Sequence, residues 1–261
     1  MSRRTLQGSR AIVTGASSGI GHALALELGR AGARLVVTAR RADRLARLVE
    51  AIVSLGAEAH AVVGDVADPA TREQVVEAAR SAYGGLDVLV NNAGMGAFGR
   101  FEHADAQRLR RVMDVNFFAL AEMTRTALPL LKQGHKPIIV NISSVLGHRA
   151  VPRSLEYCAS KFAIQGLSES LRVELMPLGI DVLVVCPGLT QTEFTAHSLD
   201  AANKPAWPHH PGVPAEYVAR KTVQAMRAGR REIVPFAWGK VLIWINRLAP
   251  SLVDRYLARY A

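Results

Sequence analysis

Short apolar runs alternate with helical patterns along almost the whole of this 261-residue chain, and that alternation constrains the fold more than any other feature. The runs fall at residues 11–14, 34–38, 59–63, 86–90, 138–142 and 182–185, with a short seventh at 232–234. Between them, residues 43–55 carry Leu45, Leu48, Val49 and Ile52 on one helical face, and Asp68-Pro69 reads as an N-cap with proline in the first turn. Long helices are expected over 106–131 and over 157–178, the second closed by Pro177 and Gly179. Apolar strands joined by helices must lie parallel, with both faces covered, and their crossovers are right-handed. The expected fold is therefore α/β, a doubly wound parallel sheet of seven strands in a single domain.

No linker or change of composition divides the chain. The doubly wound domain is expected over 1–240, with a lid over 188–214 that carries Pro205, Trp207, Pro208, His209, His210 and Pro211, and a C-terminal helical tail over 241–261. Apolar residues make up 49% of the chain, enough for a continuous core, yet no run is long enough to span a membrane. The N-terminus lacks the apolar segment of a secretory signal. Two cysteines, Cys158 and Cys186, far apart in sequence, suit a reduced, cytoplasmic setting, and no metal site is expected. The net charge of +10 comes mostly from arginines spread along the chain, among them Arg108, Arg110 and Arg111. Without a basic stretch interleaved with aromatics they read as solvated helix faces, so nucleic acid is not an expected partner.

The first strand runs into Thr14-Gly-Ala-Ser-Ser-Gly-Ile-Gly21 and then into a helix. Gly15, Gly19 and Gly21 allow a tight turn and close approach of a ligand to the backbone. A helix N-terminus beyond such a turn offers unpaired N–H groups and a positive dipole end to a pyrophosphate, here from Ser17, Ser18 and Ile20 onward. The spacing is G-x-x-x-G-x-G rather than G-x-G-x-x-G.

That turn resembles the short-chain dehydrogenase/reductase family, and four further motifs follow in the family's order: Asp65-Val66, Asn91-Asn-Ala-Gly94, Ser144 with Tyr157-x-x-x-Lys161, and Pro187-Gly188 with Thr190 and Thr192. The likeness runs from about Arg10 to Phe236 and implies a Rossmann-type fold. It also implies that Asp65 and Val66 meet the adenine, that Asn91, Asn92, Ala93 and Gly94 line the wall beside it, and that residues 187–192 hold the nicotinamide. Taken singly, Asp65 is equally a strand-end turn residue and Asn91-Asn92 a self-satisfied loop.

The second strand ends Thr38-Ala39-Arg40-Arg41. Ala39 stands where NAD-dependent relatives carry an acid for the ribose hydroxyl, and a guanidinium next to it can grip a 2′-phosphate. NADP(H) is the expected cofactor, with Arg40 as principal ligand and Arg41 as the second. Asp43 fits the first turn of the next helix better than a ribose contact.

Tyr157 and Lys161 lie one helical turn apart on one face. A lysine ammonium there is expected to lower a phenol pKa from roughly 10, making the tyrosine a proton donor to a carbonyl that accepts hydride. Ser144 closes the fifth strand at the carboxyl edge of the sheet, where its hydroxyl can polarise that carbonyl. In the resembled family the serine thirteen residues before the tyrosine takes this role, which selects Ser144 over Ser143, and Asn116 matches the asparagine of a proton relay through water and the lysine. Lys161, like Tyr157, would also touch the nicotinamide ribose.

The expected activity is hydride transfer between NADP(H) and a ketone, aldehyde or alcohol. A 3-oxoacyl group on a carrier or lipid is an alternative substrate, and a non-catalytic NADPH-binding regulator or membrane-associated scaffold is a reading of another class. The tail repeats apolar residues at helical spacing, broken at Pro250, with arginines between them. It suits a pocket cap, a subunit contact or a peripheral membrane contact. The resemblance implies a homodimer or homotetramer.

Overall fold

The computed structural model describes residues 4–204 and 212–261, so Pro205, Trp207, Pro208, His209, His210 and Pro211 of the expected lid lie outside the described residues. The first half of the chain runs β1 (Arg10–Thr14), α1 (Gly19–Arg30), β2 (Arg34–Ala39), α2 (Ala42–Ser54), β3 (Ala59–Val63), α3 (Pro69–Tyr83), β4 (Val88–Asn91), α4 (Ala106–Met113) and α5 (Ala119–Leu131). The second runs β5 (Ile138–Ile142), α6 (Leu155–Glu174), β6 (Asp181–Val185), β7 (Thr190–Gln191), β8 (Val213–Pro214), α7 (Ala215–Ala228), β9 (Glu232–Ile233), α8 (Ala237–Leu248) and α9 (Pro250–Leu257).

Seven strands form one parallel sheet, as expected, and it runs in the order β3-β2-β1-β4-β5-β6-β9. Successive strand residues point to opposite faces, and both faces are covered. Val13, Val37, Val90 and Val140 pack with Leu24, Leu28, Leu48 and Ile52 on one side. Ile12, Val36, Leu89 and Ile139 pack with Val75, Met123, Ala127 and Leu131 on the other. The strand order reverses between β1 and β4, and the crevice at such a switch point is where this architecture binds ligands.

Local signals explain most element ends. Asp68 caps α3 by accepting hydrogen bonds from the Ala70 and Thr71 amides, with Pro69 behind it. Asp43 lies in the first turn of α2, as expected. The long helix expected over 106–131 differs: residues 114–118 form a single π turn between α4 and α5, and Asn116 sits in it, fully buried. Its amide crosses to other segments, and the wider turn gives it room to do so. Pro250 separates α8 from α9, but α8 begins at Ala237, so the boundary drawn after residue 240 falls inside a helix.

Candidate functional site

The glycine turn is held by atoms of the neighbouring strand. Thr14 Oγ1 accepts from the Asn92 and Ala93 amides, and Asn92 Nδ2 donates to the Thr14 and Gly15 carbonyls at 3.0 and 3.1 Å. A Cβ on Gly15 would come within 2.7 Å of the Ala93 backbone, and one on Gly21 would collide with the Asn92 amide and the Gly15 carbonyl. These glycines are therefore required by β1–β4 packing as well as by any ligand. Gly94 stands beside Asn116, and Gly19 faces the methyl of Thr192. Asn91 turns inward, donating to Thr124 and Asn141, so it braces the core rather than lining a wall.

Of the two arginines after β2, the second points into the turn. Arg41 donates to Ser17 Oγ at 3.0 and 3.1 Å and to Ser18 Oγ at 2.6 Å. Arg40 is 76% exposed and stands 3.7 Å from Asp65. Asp65 accepts from the Ala67 amide as a turn residue does, and Val66 is buried beside it. Arg44, from the first turn of α2, joins Arg41 on one carboxylate, Glu193, at 2.6 and 3.3 Å. Those guanidiniums, Arg44 first, hold the Glu193 carboxyl down to about 2. Serine hydroxyls, helix N–H groups and two arginines make a donor set suited to phosphates.

At the other end of the switch point, Ser144 follows β5 and Tyr157 and Lys161 lie on α6. Tyr157 is half-buried, and burial around its phenol pushes the pKa up, against a downward pull from the neighbouring Ser144 hydroxyl. The expected direction was down. Lys161 Nζ instead donates to the Ile142 carbonyl at 2.8 Å and stands 5.5 Å from the tyrosine ring centre, so desolvation of the phenolate dominates. Burial also pushes Lys161 down to about 8, with Cys186 opposing it weakly. Asn116 accepts from the Met95 amide and donates to the Met95 carbonyl and to Ser160 Oγ, which ties α6 to the loop after β4. Pro187 takes the Val145 amide at 2.9 Å on its carbonyl, which also lies 3.4 Å from Ser144 Oγ, and Gly188 packs under Phe236.

A buried ion cluster next to Tyr157 was not foreseen. Arg108 is only 6% exposed and donates twice to Glu156 Oε1, at 2.6 and 2.8 Å, and once to Asp200 at 2.9 Å. It was expected on a solvated face together with Arg110 and Arg111. The signal was there: Arg108 is four residues from Val112, on the one buried face of α4. Phe194 was also missed. Its ring packs on Tyr157 with centres 5.5 Å apart, and the segment around it pairs with the loop after β4 through Gly96 and Leu199. Thr190 pairs with Val213 in the small β7-β8 ribbon, and Thr192 accepts from the Phe194 amide.

The tail lies against the loop that follows Ser144. Gly239 abuts Val145, and Arg149 donates to Asn246 and Asp254 at 3.0 and 2.6 Å. Ile243, Val253 and Leu257 are buried, while Trp238, Trp244, Leu248 and Leu252 face outward. Among the described residues no helix is long and apolar enough to cross a membrane.

Residues 9–203 match the model of the family described as short chain dehydrogenase. The chain belongs to that family. This short-chain dehydrogenase is 38% identical to the Hydroxysteroid 11-beta-dehydrogenase 1-like protein of Xenopus tropicalis, over 90% of its own length and 80% of that protein's. A short-chain dehydrogenase/reductase of Burkholderia phymatum, solved in complex with NAD, matches it with a TM-score of 0.86 at 27% identity, covering 95% of this chain and 96% of that one. A short-chain dehydrogenase of Burkholderia cenocepacia J2315, in complex with NADP, matches with a TM-score of 0.78 at 32% identity, over 88% of this chain and 97% of the other. Membership makes the protein an oxidoreductase of the short-chain dehydrogenase family, and the two solved relatives hold NAD and NADP.

Proposed function

We propose that this dehydrogenase reduces small ketones or aldehydes with NADPH, and oxidises the matching alcohols in reverse, with Tyr157 as the proton donor and acceptor. The observation that carries the reading is the convergence at the carboxyl edge of the sheet of the buried Ser144 and Lys161 on Tyr157, with Lys161 Nζ 5.5 Å from the centre of its ring. A proton donor must hold its proton until the carbonyl needs it, and burial of the phenol favours that neutral form. Ser144 would polarise the substrate oxygen, and after the transfer its hydroxyl would stabilise the phenolate together with the Lys161 charge. Asn116 would keep α6 and the loop after β4 in register and begin a water relay toward Lys161.

The donor set of the turn fits a dinucleotide. Gly15, Ser17, Ser18, Gly19, Ile20 and Gly21 would hold its pyrophosphate, Asp65 and Val66 its adenine, and Asn92, Ala93 and Gly94 the adjoining wall. Pro187, Gly188, Thr190 and Thr192 would place the nicotinamide, and Tyr157 and Lys161 its ribose. The bound nicotinamide supplies or takes up the hydride. Arg41 is assigned as principal ligand of the 2′-phosphate and Arg40 as second, reversing their sequence order of importance. The Glu193 carboxylate seated on Arg41 and Arg44 supports this, because it marks an anion position there.

The tail acts as a cap over the loop of Ser144, in keeping with its Arg149 contacts. A second copy of the chain would cover the outward Phe118, Phe162 and Val173 of the α5–α6 face, giving the homodimer or homotetramer that the resemblance implies.

NADPH and NADH oxidation by the purified protein across a panel of free ketones, aldehydes and carrier-linked 3-oxoacyl groups tests the proposal. It predicts turnover with free carbonyls and a clear preference for NADPH. Turnover restricted to carrier-linked groups would replace the substrate assignment, and none with any carbonyl would end it.

A further inference from the structure

Behind Lys161, away from the cofactor turn, three polar side chains converge on one imidazole nitrogen. His148 Nε2 lies 2.7 Å from the Gln165 side-chain amide, 3.3 Å from Glu232 Oε1 and 3.5 Å from Cys186 Sγ. The Gln165 amide also donates to Cys186 Sγ at 3.3 Å, and the imidazole nitrogen, which carries either one proton or one lone pair, still faces both Cys186 and Glu232. The ligand-type atoms of His148, Cys186 and Glu232 all lie within 4.8 Å of one another.

The spacing has a simple interpretation. Zinc binds thiolate sulfur at about 2.3 Å and imidazole nitrogen or carboxylate oxygen at about 2.0–2.2 Å, with tetrahedral angles. Those bonds place sulfur and nitrogen about 3.5 Å apart, and nitrogen and oxygen about 3.3 Å apart. The observed separations are 3.5 and 3.3 Å. A thiol–imidazole hydrogen bond gives the first distance and an ion pair the second, so what points to a metal is the convergence of all three ligand types within 4.8 Å.

We infer that His148, Cys186 and Glu232 form a binding site for one zinc ion, or a divalent transition metal of similar softness, with a solvent oxygen in the fourth position. Soft sulfur, borderline nitrogen and hard oxygen together suit zinc better than magnesium or calcium, which take oxygen ligands. Cys186 is fully buried at the end of β6, whereas Glu232 is 39% exposed on the edge strand β9, which gives the ion a path in from solvent. The site joins three segments that backbone bonding connects only in part: β6, β9 and the loop from Ser144 to His148. Gln165 adds α6, one turn beyond Lys161. A bound ion would therefore pin the Ser144 loop to the outer edge of the sheet. The site lies outside the cofactor turn and does not depend on the proposed reaction.

The test is titration of chelator-treated full-length protein with zinc by calorimetry and with cobalt(II) by absorption, where a thiolate-to-cobalt charge-transfer band reports a cysteine ligand. One ion per chain, the band, and a zinc-dependent rise in Tm are expected. Loss of residues that merely orient ligands costs about 10–100-fold in metal affinity, so Cys186→Ser should cost more than about 100-fold and remove the band. Glu232→Gln, at the surface, should keep the fold by circular dichroism while losing the Tm response to zinc. Cys158→Ser, at the other buried thiol, should change neither readout. Absence of saturable binding at micromolar metal, or a band that survives Cys186→Ser, would overturn the inference.

Discussion

The two ends of the sheet's carboxyl edge are built on different physics. At the cofactor end the shape is set by backbone: glycines that admit no Cβ, the Asn92 amide spanning β1 and β4, and charges such as Arg40 and Arg44 that reach solvent. At the tyrosine end it is set by enclosed side chains whose ionisation is shifted, Tyr157 upward and Lys161 down to about 8. Exposed charges exchange partners readily, and their effect is screened by solvent. Buried ones cannot, so changes there reach both stability and turnover. The cofactor end should therefore control affinity, and the tyrosine end rate and pH dependence.

Lys161→Met breaks that comparison most severely. It removes a charge held in an apolar setting, so turnover should fall by about 100-fold or more. The fold should gain roughly 1 kcal/mol, the relief of desolvation being partly offset by the lost bond to Ile142. Chemical denaturation beside a kcat measurement checks both, and a destabilised variant would contradict the burial argument.

Next comes the cofactor end. Arg41→Ala should raise the KM for NADPH about 10–100-fold, the worth of a charge-assisted hydrogen bond to phosphate, and leave that for NADH nearly unchanged. Arg40→Ala should have a smaller effect of the same kind. Equal effects of either variant on both cofactors would remove the 2′-phosphate assignment.

The pH response separates stability from rate. Lys161 has a lower pKa in the folded protein, about 8, than its ordinary 10.5 in the unfolded chain. Below about pH 8 the full burial penalty is present. Between about 8 and 10.5 the unfolded chain holds the extra proton, so this group's contribution makes stability rise with pH. Turnover should fall over the same window as the ammonium is lost. Urea unfolding and kcat followed from pH 7 to 10 should show these opposite slopes, the stability slope flattening in Lys161→Met. The smallest effect is expected from Glu193→Gln, which takes a competing anion away from Arg41 and Arg44. It should lower the KM for NADPH a few-fold at most, because the pair is exposed.

The regular part of the fold was legible because strand and helix periodicity are local properties. Residues 59–63 and 138–142 are strands to the residue, and Asp68, Pro69 and Pro250 mark element ends as their chemistry requires. What the sequence hid depends on tertiary contact. Arg108 looks like its neighbours Arg110 and Arg111 until α4 packs on α6 and brings Glu156 to it. The π turn at Asn116 follows from bonds to Met95 and Ser160, on segments far along the chain. Which of Arg40 and Arg41 faces Ser17 and Ser18 is fixed only by the backbone entering α2. His148, Cys186 and Glu232 lie far apart in sequence, and only the β5-β6-β9 edge assembles them.

The central claim is that cofactor affinity and proton transfer reside at separate ends of one crevice, with a protonated Tyr157 at the second. Its most direct test is Tyr157→Phe, assayed for NADPH binding by fluorescence titration and for single-turnover reduction of an active carbonyl. The account predicts an NADPH Kd within about twofold of the parent and a rate lower by about 10³ or more. Retained turnover, or turnover lost only because NADPH no longer binds, would contradict it.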